Sequence, residues 1–206
     1  MIKMKKVRIA VLVSGGGSNL QAIIDHANGG NIPHGEISLV ISSTKEAYAL
    51  VRANMAGIPV RVVSRKDDPD GFEENIISAL EEFNIDMIVL AGFMSILSEK
   101  VIRKYPDRII NVHPSLIPSF CGKGFYGLRV HEAALAYGVK VTGATVHFVN
   151  EIPDGGKIIL QKSVAIRKED TPESLQQHVM RNAEWIILPR AVEMVAKSIV
   201  TGKRDF

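Results

Sequence analysis

The chain has 206 residues, of which 46% are hydrophobic and 23% charged, and its formal net charge is +3 at pH 7. This composition fits one globular domain with a substantial core, and the scattered positive charge favours small anionic ligands over nucleic acid. A single cysteine, Cys121, excludes an internal disulfide framework, and the sequence has no Cys/His cluster at metal-ligand spacing and no apolar run of membrane-spanning length, so we expect a cytoplasmic protein without a metal.

A glycine-rich loop follows the first predicted strand. Residues 8–13 are nearly all apolar, which is typical of a parallel strand covered on both faces. The next residues, Ser14-Gly15-Gly16-Gly17-Ser18-Asn19, precede a predicted helix. A strand, a glycine loop and a helix N-terminus can bind an anion, because free N–H groups point outward and the helix dipole favours negative charge. A tight turn with nothing bound is the alternative.

The sequence of this loop favours a monophosphate as the anion. The Lys-Ser/Thr ending of a nucleoside-triphosphate loop is absent, because Ser18-Asn19 follows Gly17. The dinucleotide pattern also fails, since it needs a small residue at Leu20 and an acidic residue near the end of the second strand, where residues 41–43 are Ile-Ser-Ser. We expect the side chains of Ser18 and Asn19 to help hold a monophosphate.

Strands and helices continue to alternate along the first half of the chain. Further strands are predicted at residues 37–41, 59–63 and 87–91, and Asp70 can cap the helix between the last two. The apolar loop of residues 92–97 leaves the carboxyl end of the fourth strand. Its Phe-Met-x-Ile-Leu run can line the core or form one wall of a pocket for a flat ring, and both interpretations stay open.

An amide and an imidazole lie at the end of the fifth predicted strand. Residues 111–118 are Asn-Val-His-Pro-Ser-Leu-Ile-Pro, and Asn111 and His113, two apart, point to the same side of a strand. Pro114 and Pro118 then force a loop. Because ligands of open α/β sheets bind beyond the carboxyl ends of the strands, both side chains can donate to an oxygen that becomes negative during reaction. The alternative is a polar strand end satisfied by local backbone.

The second half of the chain holds a long loop and two more predicted strands. Residues 114–128 are long enough for a mobile functional segment. Strands are predicted at residues 141–149, where we interpret His147 as a structural histidine, and at 157–164. Asp154 lies in the turn between them and is ambiguous, because Asp-Gly is ordinary turn chemistry.

The last predicted helix begins with Thr171 as its N-cap and Pro172 as its first residue, and Pro189 is expected to end or kink it. Strands and helices thus alternate from end to end. This order predicts an α/β fold with a doubly wound, mostly parallel twisted sheet flanked by helices.

Four motifs resemble, in the same order, those of enzymes that take a formyl group from 10-formyltetrahydrofolate. The Asn-x-His-Pro-Ser-Leu-hydrophobic-Pro run at 111–118 resembles their catalytic signature. Along nearly its whole length the chain resembles the formyltransferases of glycinamide ribonucleotide (GAR) in purine synthesis, which implies a Rossmann-like formyltransferase fold. The other motifs are Gly17-Ser18-Asn19-Leu20, which resembles the phosphate loop, Ala-Gly-Phe-Met-Ser-Ile-Leu at 91–97, which resembles the folate loop, and Val-His-Phe-Val at 146–149 with Asp-Gly-Gly at 154–156, which resembles the segment of the catalytic aspartate.

The resemblance implies roles for individual residues. Asn111 and a protonated His113 would stabilise the oxyanion formed when the GAR amine attacks the formyl carbon. Asp154 would keep His113 charged, so we expect a raised pKa for His113. The implied GAR phosphate and ribose contacts are Gly17, Ser18, Asn19 and Glu184, and the implied folate contacts are Arg65 (or Lys66), Met94, Ser95, Ile96, Leu97 and Asn111. The sequence departs from the family pattern at Ser95, where relatives often have Arg or Lys, at Cys121, where Pro is frequent, and at Trp185, where His is common.

The resemblance also implies how the chain is organised. Residues 1–206 would form a single formyltransferase domain, with a phosphate-binding half at about 1–100 and a folate-binding and catalytic half at about 101–206. Its partners would be GAR and 10-formyltetrahydrofolate, with no metal, nucleic acid or membrane, in a monomer or a homodimer. A methionyl-tRNA formyltransferase or a formyltetrahydrofolate hydrolase would need a further domain, for which 206 residues leave no room. A nucleotide-binding regulatory module without turnover is the alternative of another class.

Overall fold

A single seven-stranded sheet runs through the computed structural model, which describes residues 5–204 and 206. The strand order is β3-β2-β1-β4-β5-β6-β7; β1 to β5 are parallel, whereas β6 is antiparallel to both β5 and β7. The predicted mostly parallel α/β sheet is therefore confirmed. The strands are β1 (Val7–Val13), β2 (Gly35–Ser42), β3 (Val60–Val62), β4 (Met87–Leu90), β5 (Ile109–His113), β6 (Val141–Phe148) and β7 (Ile158–Ala165).

Helices cover both faces of this sheet, as the nearly continuous apolar strands require. Alternate residues of β1 enter two different cores: Ile9 and Val11 pack on one face, and Ala10 and Leu12 on the other. All four are fully buried, and burial of a side chain as large as Ile9 or Leu12 contributes about 1.5–3 kcal/mol. The helices are α1 (Ser18–Asn28), α2 (Tyr48–Met55), α3 (Phe72–Glu82), α4 (Glu99–Lys104), α5 (Leu128–Tyr137), α6 (Pro172–Val179) and α7 (Trp185–Thr201), and a π-helical turn (Met180–Glu184) joins α6 to α7.

The prediction for the start of α6 is confirmed, whereas that for the start of α3 is wrong. At α6 the Thr171 hydroxyl accepts from the Ser174 N–H at 3.2 Å, and the Ser174 hydroxyl accepts from the Thr171 N–H at 2.9 Å, so the two form a capping box. At α3 the residue before the helix is Gly71, not Asp70. The carboxylate that accepts the Gly71 N–H, at 2.9 Å, belongs to Asp68, because an Asp side chain readily bonds to backbone a few residues ahead of it.

Pro189 does not end the last helix, so that part of the prediction is wrong. Helix α7 continues through Pro189 to Thr201. Proline removes one backbone hydrogen bond and crowds the preceding turn. The π-helical turn Met180–Glu184 lies directly before α7, and such turns accommodate irregularities within longer helical segments.

The sheet order brings three loops to one edge. Leu12 of β1 pairs with Leu90 of β4, and Leu90 pairs with Asn111 of β5, so the carboxyl ends of these three strands lie side by side. In the strand order, β2 and β3 lie on one side of β1 and β4 lies on its other side. The order of the strands therefore reverses between β1 and β4. Ligands of such sheets bind at this reversal. In the described part of the chain, no helix has the length and apolar character needed to cross a membrane.

Candidate active site

Four polar side chains meet where β5 and β6 pair near the carboxyl end of β5. Asn111 and His113 lie on β5, and Asn111 is directly opposite His147 of the antiparallel β6. Asp154 enters from the β6–β7 connection, with one carboxylate oxygen 3.5 Å from His113 Nδ1 and the other 3.5 Å from His147 Nε2. Asn111 Nδ2 lies 3.3 Å from the same His147 nitrogen. The structure thus brings together the three residues predicted as catalytic and adds His147.

His147 belongs to this cluster although its sequence context suggested a structural histidine. Its Nδ1 faces the Phe148 carbonyl at 2.8 Å, and because a carbonyl can only accept, Nδ1 carries a proton. Nε2 lies between the Asn111 amide nitrogen, at 3.3 Å, and an Asp154 carboxylate oxygen, at 3.5 Å. The available signal was the alternation of β6, which assigns Thr145 and His147 to one face; only the antiparallel pairing shows that this face meets Asn111 and His113.

The pKa of His113 lies below its ordinary value, so the expectation of a raised pKa is wrong. Burial is the largest cause, because only 5% of the residue is exposed and a charged ring there loses its hydration. The Phe120 carbonyl, 2.9 Å from Nε2, and the charge of Asp154 both raise the pKa but by less, and His147 lowers it further. The free protein therefore holds a mostly neutral His113 at neutral pH, with an acceptor facing each ring nitrogen.

Asp154 is held as a carboxylate. Burial raises its pKa, but hydrogen bonds from His147 and from the Gly122 N–H, at 2.8 Å, together with the two histidines, outweigh burial, so the pKa lies below its ordinary value. Asp154 also has a left-handed backbone conformation, with φ of 57°, which Asp and Asn tolerate better than most residues. A negative charge is thus fixed between two imidazoles.

The glycine loop presents free backbone donors at the start of α1. Gly17 precedes the helix with φ of 71°, a value that favours glycine, and no side chain caps the helix. Within the described residues, the backbone N–H groups of Gly16, Gly17 and Ser18 donate no hydrogen bond. These unpaired donors and the helix dipole make the loop suitable for an anion.

Asn19 and Glu184 contact one another across 165 positions of the chain. Asn19 Nδ2 donates to Glu184 Oε2 at 2.6 Å, and both residues are buried. In this conformation the Asn19 amide therefore points to Glu184. Burial raises the pKa of Glu184 to about 7, against a smaller lowering by Asn19. The carboxyl group is held at the end of the π-helical turn, directly before Trp185.

Glu184→Gln is expected to remove a pH dependence of the free energy of unfolding. The folded pKa of Glu184 lies above the unfolded value, so its stabilising contribution is complete below pH 4.5 and is lost as the pH rises through about 7. The rise from 4.5 to about 7 corresponds to about 3 kcal/mol. Urea unfolding of both proteins at pH 5 and pH 8 measures it: the wild type should lose about 2–3 kcal/mol relative to the Gln variant. Parallel pH profiles would contradict the assignment.

The apolar loop of residues 92–97 is divided between core and surface. Leu97 is buried in the core, as one interpretation expected, whereas Met94 is 58% and Ile96 76% exposed, and for these two side chains the pocket wall stays a prediction. The Met94 N–H donates to the Ser14 hydroxyl at 2.9 Å, and Ser43 donates to the same oxygen at 2.6 Å. The hydroxyl of Ser14 thereby connects this loop to the start of the glycine loop.

Arg65 also contacts the apolar loop of residues 92–97. Its Nη2 donates to the Ile96 carbonyl at 3.2 Å, and its guanidinium lies 4.4 Å from the centre of the Phe72 ring and 3.7 Å from Glu73 Oε1. Lys66, the other residue considered as a folate contact, is exposed. Of the two cations, Arg65 is therefore the one whose contact with the apolar loop is visible.

Among residues 5–204 and 206, no three His, Cys, Asp or Glu side chains are grouped so that they could hold a metal ion. The expectation of a reaction without a metal stays a prediction.

Cys121 has a free thiol, and burial raises its pKa, with a smaller contribution from Asp154.

Comparison with known proteins gives one consistent family. A family model described as formyl transferase matches residues 7–192. The phosphoribosylglycinamide formyltransferase of Haemophilus influenzae is 43% identical over 192 residues, which cover 92% of this chain and 86% of that protein. The human trifunctional purine biosynthetic protein adenosine-3 is 46% identical over 95% of this chain, but the chain spans only 19% of its length.

Solved structures give the same result. Glycinamide ribonucleotide transformylase 1 from Symbiobacterium toebii superposes with a TM-score of 0.87 at 38% identity, covering 94% of this chain and 89% of that one. Phosphoribosylglycinamide formyltransferase from Brucella melitensis gives 0.84 at 40% identity, with 93% and 96% coverage. A formyltetrahydrofolate deformylase from Pseudomonas syringae, at 24% identity and a TM-score of 0.85, shares the fold. The chain therefore belongs to the formyl transferase family, and within it to the phosphoribosylglycinamide formyltransferases.

Proposed function

We propose that the protein transfers the formyl group of 10-formyltetrahydrofolate to the amine of GAR, giving formylglycinamide ribonucleotide and tetrahydrofolate in de novo purine biosynthesis. The main support is the shared edge of the sheet: an anion-binding loop follows β1, an apolar loop follows β4, and the Asn111, His113 and Asp154 cluster follows β5. A phosphate-bearing acceptor and a flat-ringed donor can meet there beside hydrogen-bond donors.

The proposed catalytic step uses Asn111 and His113 as donors to the formyl oxygen. The lone pair of the GAR amine forms a bond to the formyl carbon, the carbonyl electrons move onto oxygen, and the amide N–H and the imidazole stabilise that charge. The tetrahedral species then breaks its bond to the folate nitrogen, which takes a proton as the amine loses one. Asp154 offsets part of the burial cost of a charged His113, so a ring that is mostly neutral in the free protein can take up a proton from water and become imidazolium as negative charge develops beside it.

This step requires a rearrangement near His113. Nδ1 of His113 faces Asp154, and Nε2 lies 2.9 Å from the Phe120 carbonyl, so both nitrogens already have acceptors. Nε2 can donate to a formyl oxygen only after the Phe120 carbonyl has moved away. The segment that must shift is the loop between β5 and α5, which also donates the Gly122 N–H to Asp154.

For GAR, we propose that the N–H groups of Gly17 and Ser18 and the Ser18 hydroxyl hold the phosphate, while Asn19 and Glu184 act as a pair beside the ribose. Ribose hydroxyls can donate to the Glu184 carboxylate, and Asn19 fixes the position of that carboxylate at 2.6 Å. Asn19 therefore contributes to GAR binding through its bond to Glu184.

Asn19→Leu is expected to raise the Michaelis constant for GAR far more than that for the folate, because Glu184 loses its hydrogen-bond donor while the apolar loop keeps its contacts. Steady-state kinetics with each substrate varied in turn measures both constants. An equal effect on the two substrates would contradict the assignment of Asn19 to the GAR side.

For the folate, we propose that Met94, Ile96 and Leu97 form an apolar wall and that Ser95 and Asn111 offer polar contacts to the ring. Met94 and Ile96 are exposed apolar side chains at a ligand-binding edge, and a flat ring would cover them. Arg65 supplies a cation beside Ile96 that suits a carboxylate of the donor.

The experiment that tests the function is a two-substrate assay. Protein and 10-formyltetrahydrofolate are incubated with GAR, with methionyl-tRNA, or with neither, and release of tetrahydrofolate is followed. GAR-dependent release together with formylated GAR supports the proposal. Release of tetrahydrofolate without any acceptor would indicate a hydrolase. Release that depends on methionyl-tRNA would indicate a methionyl-tRNA formyltransferase. Binding of the substrates without release of tetrahydrofolate would indicate a regulatory module.

The organisation of the chain is part of the same proposal. Residues 1–206 would act as one domain, with the phosphate loop in the first half, at about 1–100, and the catalytic residues in the second, at about 101–206. Glu184 and the apolar loop cross this division, because Glu184 pairs with Asn19 and the apolar loop lies beside β5. The free thiol of Cys121 suits a reducing compartment, and we propose the cytoplasm.

A further inference from the structure

Helix α2 holds the glycine loop from behind. The Ala49 N–H donates to the Gly15 carbonyl at 3.1 Å, and Arg52 Nε donates to the Gly16 carbonyl at 2.8 Å. Contact between the helix and the loop is close, because a Cβ added to Gly17 would lie 2.6 Å from the Ala49 Cβ. Two consecutive carbonyls of the loop are therefore directed at α2.

These two hydrogen bonds also decide where the loop N–H groups point. A peptide unit is planar and trans, so the carbonyl of one residue and the N–H of the next point in opposite directions. With the Gly15 carbonyl directed at Ala49, the Gly16 N–H points away from α2, and with the Gly16 carbonyl directed at Arg52, so does the Gly17 N–H. Glycine has more backbone freedom than any other residue, so without these contacts the peptide units could rotate.

The guanidinium of Arg52 is itself held in place. Its Nη1 donates to the Gln21 side chain on α1 at 3.1 Å, and its central carbon lies 5.0 Å from the centre of the Tyr48 ring. Arg52 thus bridges the loop and the first turns of α1 with two donors of one planar group. A lysine ammonium has no such fork and cannot reproduce both bonds in the same geometry.

We infer that Arg52 is a positioning residue for the GAR phosphate: it fixes the Gly16–Gly17 peptide with its N–H toward the anion and adds positive charge beside the loop. This inference rests on the proposed function, since it assumes that the loop holds the phosphate of GAR. The role concerns binding of one substrate, because Arg52 has no contact with the Asn111, His113 and Asp154 cluster among the described hydrogen bonds.

Arg52→Met and Arg52→Lys separate positioning from charge. Met keeps an apolar stem without donors or charge, and it should raise the GAR Michaelis constant by about 10- to 100-fold, the range for losing a charge-assisted hydrogen bond and a nearby cation. The folate Michaelis constant should stay within about twofold and the turnover number within about threefold, because binding of GAR alone is affected. Lys, which retains the charge, should be intermediate, at about 3- to 10-fold.

Arg61→Met is the matched control. Its guanidinium also lies 5.0 Å from an aromatic ring, that of Phe83, and pairs with Glu82 on the surface, but it does not contact the glycine loop. This variant should keep both Michaelis constants. Thermal unfolding of all three variants checks that they are folded, and calorimetric titration with GAR checks that the Michaelis constants follow binding.

The outcomes distinguish this inference from the proposed function. If the wild type neither binds nor formylates GAR, the proposed function fails. If the wild type uses GAR but Arg52→Met leaves its Michaelis constant unchanged or raises both constants equally, the role of Arg52 is overturned. Full recovery in Arg52→Lys would show that charge alone matters and would overturn the positioning role.

Discussion

Asp154→Asn is expected to lower the turnover number by about 10²- to 10⁴-fold, the range for losing a positioned catalytic group, while both substrates still bind. The physical reason is the loss of a fixed negative charge 3.5 Å from His113. Burial already lowers the pKa of His113, and Asp154 is one of the two groups that oppose this. Without it, an imidazolium beside the developing oxyanion becomes still less stable.

The Asn variant should preserve the local structure. Asn tolerates the left-handed backbone at position 154, where φ is 57°, and its carbonyl oxygen can still accept the Gly122 N–H. Asp107→Asn is the matched control, because Asp107 also has a left-handed backbone, with φ of 55°, but pairs with Arg204 on the surface. It should leave turnover unchanged.

Two measurements test Asp154→Asn: turnover over a range of pH, and calorimetric titration with GAR and a folate analogue. Because Asp154 raises the pKa of His113, its loss should move any limb of the pH profile that reports His113 to lower pH. Turnover close to that of the wild type would mean that Asp154 is the ordinary turn residue that Asp-Gly also permits.

Asn111→Ala is expected to lower the turnover number by about 10²- to 10³-fold, the usual effect of removing one donor to an oxyanion. Asn111 Nδ2 lies 3.3 Å from His147 Nε2, so the variant also leaves that nitrogen without its amide neighbour. The Michaelis constant for GAR should change little, because the glycine loop and Glu184 are untouched.

Asn75→Ala gives the comparison for Asn111→Ala. Asn75 is an exposed side-chain amide on α3 that makes one hydrogen bond, to Asp68 at 2.8 Å, so its loss should leave turnover intact.

The double variant of Asn111 and Asp154 adds a second test. Residues that act as a unit are not additive, so the double variant should be scarcely slower than the slower single one, and independent, multiplied losses would argue against a shared step.

Local patterns in the sequence were sufficient for the strands and for the shared side of Asn111 and His113. Continuous apolar runs predict buried parallel strands, and period-two alternation places residues two apart on one face. The cap at Thr171 was likewise predictable, because its partner Ser174 is three residues away.

The remainder of the site depends on tertiary structure. His147 could not be placed, because its neighbours follow from the antiparallel pairing of β5 with β6. The direction of the His113 pKa could not be predicted either, since it reflects a balance between burial depth and the charge of Asp154. In the same way, the Asn19 side chain was expected at the phosphate, but a carboxyl group 165 positions away accepts its hydrogen bond.

The bond between Asn19 and Glu184 has a consequence for how the protein is made. The carboxyl group of Glu184 is synthesised 165 residues after Asn19, its partner at the start of α1. At roughly 5–20 residues per second, this separation corresponds to a delay of roughly 8–33 seconds. Throughout that interval the nascent chain carries Asn19 without its carboxyl partner, which arrives with the π-helical turn after β7 and α6. Any ligand stabilisation that depends on Glu184 can therefore begin only after the π-helical turn has been synthesised, when all seven strands of the sheet have already been made.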